Sequence, residues 1–134
     1  MKFFKYHFPF IFWLVVIFAE SSFPSDAYPK IDIISADKLV HMGVFGLLAA
    51  LSYISFIHQV KFPSLLKNAL IFALFISAVY GASDEFHQYF VPNRDCEFLD
   101  WVADFTGALI MILLIKFYLG RKWSIFKSNY IHAE

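Results

Sequence analysis

The stretch Ser83-Asp84-Glu85-Phe86-His87-Gln88-Tyr89-Phe90-Val91-Pro92-Asn93-Arg94 stands at the end of a long apolar run. A segment shaped for lipid does not normally continue into two adjacent acids, an imidazole and an amide, and then Pro and Arg. Ionisable groups at a membrane boundary are costly without partners, so they point to a site. The flanking segments supply partners: Asp37, Lys38 and His41 before it, Asp100 and Asp104 after it. Composition agrees with lipid as solvent, since 60% of the 134 residues are hydrophobic and eighteen are Phe, far from a soluble average. The length is that of one domain, 1–134. A formal charge of zero leaves no basic surface for nucleic acid. Cys96 is the one cysteine, so it forms no internal disulfide and no metal-thiolate motif.

Outward from this stretch, four apolar spans are expected. The third, which leads into it, runs from about Leu65 to Ser83. The second runs from about Leu39 to Ile57, with Ser35 or Asp37 as its N-cap and the turn His58 to Ser64 after it. The fourth runs from about Phe98 to Leu119, beyond a loop at Val91–Glu97 broken by Pro92 and Asn93. Arg121, Lys122 and Lys127 close it, and Trp123 suits an interfacial position. The first run, Phe8 to Ala19, is short against the roughly 20 residues a bilayer needs. Phe3, Phe4 and Tyr6 extend it with tilt. A cleaved signal peptide is the rival reading, but Glu20 and the bulky aromatics make a poor cleavage site. Between the first two spans, Glu20 to Ala36 is a polar connection in which Ile31, Ile33 and Ile34 are placed at the interface. The tail to Glu134 is read as a short surface segment.

Charge sets the orientation. With a cytoplasmic N-terminus, Lys2, Lys5, Lys61, Lys67, Lys116, Arg121, Lys122 and Lys127 lie inside, and Lys30, Lys38 and Arg94 outside. The positive-inside rule selects this N-in, C-in arrangement. Every acid except Glu134 then falls on the outer side. The expected fold is all-α: an integral membrane four-helix bundle, N-in/C-in, with a polar site at the extracytoplasmic ends of helices 2–4.

Helical spacing assembles that site. Asp37 and His41 are four residues apart, as are Asp84 and Gln88, and Asp100 and Asp104, so each pair shares a face. Small residues at Gly46 and Ala50, Ser77 and Gly81, and Ala103 and Gly107 allow close helix approach. Asp104, one turn inside a span, needs a donor such as Lys38, Arg94 or His41. Adjacent Asp84 and Glu85 resist joint ionisation, which raises one pKa and suits acid–base work, a role His41 or His87 could also fill. Asp84, Glu85, Asp100 and Asp104 are oxygen ligands suited to a divalent cation, Mg or Ca. The plainer accounts are a helix cap at Asp37, a solvated pair at Lys38 and packing polarity for the rest. His58 and His132 read as interface or core residues.

The order and spacing of these pieces resemble the VanZ-like family of small bacterial membrane proteins, named after a protein linked to teicoplanin resistance. The resemblance rests on Ser21-Ser22-Phe23-Pro24, Asp37-Lys38-Leu39-Val40-His41 with Phe45, Asp84 to Phe90 with Pro92 and Arg94, and Asp100, Asp104 and Gly107. It departs at Asp104, where the family often carries Asn. The resemblance implies a multi-pass protein of the bacterial inner membrane, akin to membrane enzymes acting on lipid head groups. Carried over by position, the polar site is Asp37, Lys38, His41, Asp84, Glu85, Gln88, Arg94, Asp100 and Asp104.

The leading expectation is an enzyme that modifies or exchanges a head group on a membrane lipid or lipid-linked envelope precursor. Glu85, His41, Asp84 and Asp104 form its catalytic set: Glu85 or His41 is the general base, and Asp84, Asp100 and Asp104 orient it or hold a cation. Lys38 and Arg94 neutralise phosphate, and Gln88, Asp37 and Asp100 complete the substrate-binding group. The alternative is a non-catalytic membrane protein that binds glycopeptide or cell-wall precursor and contributes to teicoplanin-type resistance. Ion transport fits less well, because Ser52 to Phe56 and Ile110 to Ile115 offer no polar relay.

Overall fold

The computed structural model describes residues 2–24, 34–94 and 96–131, with side chains described for 2–24, 37–94 and 96–121. Six helices follow one another: α1 (Lys2–Tyr6), α2 (Phe8–Ser21), α3 (Ile34–His58), α4 (Pro63–Lys67), α5 (Ala69–Gln88) and α6 (Phe98–Ile131). No strand occurs among the described residues. Three segments, Asp37–His58, Ala69–Gln88 and Phe98–Arg121, are long and apolar enough to cross a membrane. Helix α2 is apolar but shorter. The hydrogen-bond ladder nevertheless passes through its junction with α1, from His7 N–H to the Phe3 carbonyl at 2.8 Å and from Ile11 N–H to the His7 carbonyl at 3.1 Å. Lys2–Ser21 together rise about 30 Å at 1.5 Å per residue, roughly one hydrocarbon thickness.

The expected third span is displaced at both ends. Pro63 opens a separate short helix, and Asn68 breaks from helical geometry at φ −113° and ψ 30°, so α5 starts at Ala69 rather than Leu65. It continues past Ser83 to Gln88, because nothing before Pro92 obstructs a helix. Pro92 has no N–H and disfavours helical backbone at the residue before it. Asp84, Glu85 and Gln88 therefore sit on the last turns of a rigid helix. Helix α3 begins at Ile34, which puts Ser35 and Asp37 inside the helix, not at its cap. Helix α6 runs to Ile131, so most of the expected surface tail is helical. The interfacial placements of Ile31, Ile33, Ile34 and Trp123 concern positions outside the described side chains.

Helices α3, α5 and α6 form the core, and α2 lies against α3 and α5. The interior is built from small and polar residues. Helix α5 buries Ala69, Ala73, Ser77 and Gly81 at a spacing of four, a ridge that lets neighbouring backbones come close. Ala49, Ala73, Ala108 and Ile112 make one core cluster, and Ile17, Phe45 and Leu48 another. The large apolar side chains point outward: Phe12, Phe75, Leu113 and Phe117 are each more than half exposed. Small residues inside and Phe outside are the packing expected when the solvent is lipid.

The tightest contact is between α3 and α6. A methyl group on Gly107 would lie 2.0 Å from the Met42 carbonyl oxygen, and one on Gly46 would lie 3.3 Å from the Gly107 oxygen. This crossing fixes the separation between His41 on α3 and Asp104 on α6.

Candidate functional site

One end of the bundle collects the starts of α3 and α6 and the ends of α2 and α5. Their buried stripes turn polar there. Along α5 the ridge of small residues gives way to Asp84, Glu85 and Gln88, all buried. Along α6 it gives way to Asp104 and Asp100, whose residue exposures are 0% and 5%.

Three side chains converge at the centre. His41 Nδ1 hydrogen-bonds Asp104 Oδ1 at 2.9 Å, linking α3 to α6. Glu85 Oε2 accepts the backbone N–H of Glu97 at 3.0 Å, linking α5 to the loop before α6. His41, Glu85 and Asp104 each offer one ligand-type atom, all within 4.8 Å of one another. The second oxygens of both carboxylates, Glu85 Oε1 and Asp104 Oδ2, are buried and have no hydrogen-bond partner among the described residues. Gly81 lets one of them approach α5 closely, since a methyl group there would lie 3.0 Å from Asp104 Oδ2 and 3.3 Å from the Phe45 ring. Phe45, at 1% exposure, floors the cluster on its apolar side.

Lys38 organises a second group. Its ammonium is paired with Asp100, with Glu97 at 2.7 Å and with Asp37 at 3.5 Å. His41 joins the two groups, because its Nε2 lies 4.0 Å from Asp37 Oδ1. Asp37 and Glu97 are exposed at their side chains and Asp100 is nearly buried, so this group forms the outer layer of the site.

Asp84 turns away from Glu85, its neighbour in sequence. Its Oδ1 accepts the Ser21 hydroxyl at 2.6 Å and its Oδ2 accepts Gln88 Nε2 at 3.0 Å. Successive helical residues diverge by about 100°, so the two acids serve different neighbours. Arg94 also serves α2. Its Nε donates to the Phe23 carbonyl at 2.9 Å, and its Nη2 donates to the Glu20 carbonyl at 3.0 Å and lies 3.4 Å from the Glu20 carboxylate. Asn93, at φ 60°, provides the left-handed residue that Asn tolerates and turns the chain so that Arg94 reaches back. His87 bonds Ser22 at 3.0 Å and stacks on Phe18. Asp84, Gln88, His87 and Arg94 thus hold the end of α2, while His41, Glu85 and Asp104 form the inner cluster and Lys38, Asp37 and Asp100 the outer one.

Sequence reasoning by charge missed Glu97, which pairs with Lys38 and supplies the N–H to Glu85, and Glu20, which meets Arg94. The i to i+4 rule joins residues within one helix and has no reach across a loop. Cys96 is exposed in that loop. Desolvation, and then the charges of Glu85 and Asp100, push its thiol above the ordinary value, the opposite of a nucleophile's requirement. An open groove of about 460 Å³ lies at the other end of the bundle, between Tyr53, Leu66, Leu74, Ile112 and Lys116, remote from these acids.

The fold is an all-helical bundle with three segments long and apolar enough to cross a membrane, and with a cluster of ionisable side chains at one end. The chain belongs to the VanZ/LLP1 family, whose model matches residues 6–119. That range takes in all of the core spans as far as Leu119 and every residue of the cluster. No curated protein and no solved structure matches the chain.

Proposed function

We propose that this protein is a bacterial inner-membrane enzyme, oriented N-in and C-in, that modifies or exchanges head groups on a lipid or lipid-linked envelope precursor at its extracytoplasmic face. The observation that carries this reading is the pair of buried carboxylate oxygens without hydrogen-bond partners among the described residues, beside an imidazole, at one end of an apolar bundle. Unmet polarity of this kind is costly in a protein interior and is retained where it does chemistry.

In the reaction, the acyl or prenyl chain lies against the apolar helices and the head group enters over Asp37 and Glu97. His41 takes the proton from an attacking water or alcohol while Asp104 orients the imidazole, the division of labour of a base and its orienting carboxylate. The new bond forms to the head-group phosphorus, the bond to the outgoing alcohol breaks, and the proton passes from His41 to that alcohol. Glu85, adjacent to both, positions the attacking hydroxyl. Lys38 is the ammonium nearest the cluster, and an incoming phosphate would compete for it with the exposed carboxylates of Glu97 and Asp37.

The test is to purify the protein with native lipids, supply candidate lipids and lipid-linked precursors, and follow products by mass spectrometry for the wild type and Glu85→Gln. The expected outcome is product with the wild type and a loss of about a hundredfold in the variant. Identical lipid profiles with and without wild-type protein would overturn catalysis. Retained glycopeptide or precursor binding in that case would leave the binding protein as the reading.

A further inference from the structure

The inner cluster holds two buried carboxyl groups, each with one oxygen that has no hydrogen-bond partner among the described residues. Lys38 is already occupied by Asp100, Glu97 and Asp37, and Arg94 donates to the end of α2. His41 bonds Asp104 and lies within the same 4.8 Å cluster as Glu85. From this geometry we infer that His41, Glu85 and Asp104 form a binding site for one divalent cation.

Four observations converge on these three residues. They come from three different helices, and their ligand-type atoms lie within 4.8 Å of one another. A cation about 2.1–2.3 Å from each ligand requires a slightly smaller spread, which side-chain rotation supplies. One oxygen of each carboxylate is already held, by His41 and by the Glu97 N–H, so the acids are oriented. The other oxygen of each is buried with no hydrogen-bond partner among the described residues. Finally, Gly81 has no side chain to cover Asp104 Oδ2, against which even a methyl group would lie at 3.0 Å.

The neighbouring trio Asp37, His41 and Asp100 also satisfies the distance condition. It is the poorer site, because the Lys38 ammonium already lies among its carboxylates and Asp37 is exposed. Sequence spacing suggests Mg or Ca on Asp84, Glu85, Asp100 and Asp104. Once Asp84 is committed to Ser21 and Gln88 and Asp100 to Lys38, the set becomes one imidazole and two carboxylates. The imidazole shifts preference toward Zn(II), while the two carboxylates still suit Mn(II). The inference concerns binding and does not need the proposed reaction. An ion held by His41 would take over the base role given to that imidazole, by lowering the pKa of a water bound to it. The inference rests on that reading only for the ion's role, which would be to supply the positive charge a phosphate needs.

The experiment uses the full chain in nanodiscs, stripped with chelator and titrated with Mn(II) alone, with bound and free ion resolved by electron paramagnetic resonance. The expected result is one Mn(II) per chain with a dissociation constant on the order of micromolar. Zn(II) should displace it. Glu85→Gln and Asp104→Asn should each weaken binding by about tenfold or more, while Asp37→Asn, which removes an exposed carboxylate outside the trio, should weaken it less than either. Wild-type protein that holds no Mn(II) and no Zn(II) at millimolar ion would overturn the site without recourse to any variant. So would binding lost in Asp37→Asn but kept in Glu85→Gln. Because the readout is the ion, a failed lipid assay alongside tight Mn(II) would reject the reaction and leave the site standing.

Discussion

Asp84 and Glu85 show how much depends on a single helical step. Side by side in sequence, they suggest two carboxylates sharing one pocket. On α5 they part, Asp84 to Ser21 and Gln88, Glu85 to the Glu97 N–H and the inner cluster. The Ser21–Asp84 bond is buried and short, so Ser21→Ala removes a donor from a carboxylate that has lost water. The expected cost is about 1–2 kcal/mol, read as a lower midpoint in denaturation of the detergent-solubilised protein. Lipid-product formation by the properly folded fraction should persist, because Ser21 touches none of His41, Glu85 and Asp104. That acids gather at this end was visible in the residue types, since each is hard to explain as lipid-facing, but Glu20 and Glu97 were not singled out. The division of this end into a tether and a cluster was not visible, because that follows from helix phase and from Ser21 on another segment.

At the scale of the element, the spacing between α3 and α6 is set by glycine. Alanine at position 107 would bring its methyl carbon 2.0 Å from the Met42 oxygen, and backbone atoms cannot yield as a flexible side chain can. Gly107→Ala is expected to cost about 3 kcal/mol or more and to move Asp104, three residues away, off His41. Gly43→Ala is the matched control on α3, with nothing within 4 Å of the added carbon. It should be neutral or stabilising by up to about 1 kcal/mol through helix propensity. Thermal denaturation of both variants in the same detergent measures the difference. The small-residue spacing that predicts close approach was visible in Ala103 and Gly107, but the partner was not. The break at Pro92 was legible, whereas the start of the third span was misjudged, because Asn68 splits off a short helix, and so was its end at Ser83, where polarity resembled a helix end and the helix simply continued.

For the whole molecule, the proposed orientation places the loop holding Cys96 outside and the turn holding Val60 inside. Cys96 is exposed and Val60 is 91% exposed, so both are fit reporters. A membrane-impermeant maleimide added to intact spheroplasts should label wild-type protein at Cys96. It should fail to label Val60→Cys on a Cys96→Ser background until the membrane is opened. Labelling of the second before lysis and not the first would invert the topology. The raised thiol of Cys96 sets the sign of the pH effect: the thiolate is scarcer at neutral pH, and labelling accelerates as pH rises. The multi-pass helical class followed from composition and apolar length alone. The shortness of α2 was also visible, whereas its mode of docking was not.

That docking has its own corollary. Tyr80 donates its hydroxyl to the Leu14 carbonyl, Trp13 its indole N–H to the Val44 carbonyl, and Arg94 its guanidinium to the carbonyls of Glu20 and Phe23. These fastenings end on main-chain oxygens, which every amino acid possesses. As far as these fastenings go, any constraint on positions 14, 20, 23 and 44 comes from packing and from their own side-chain contacts rather than from the bonds, whose constancy falls on the three donors.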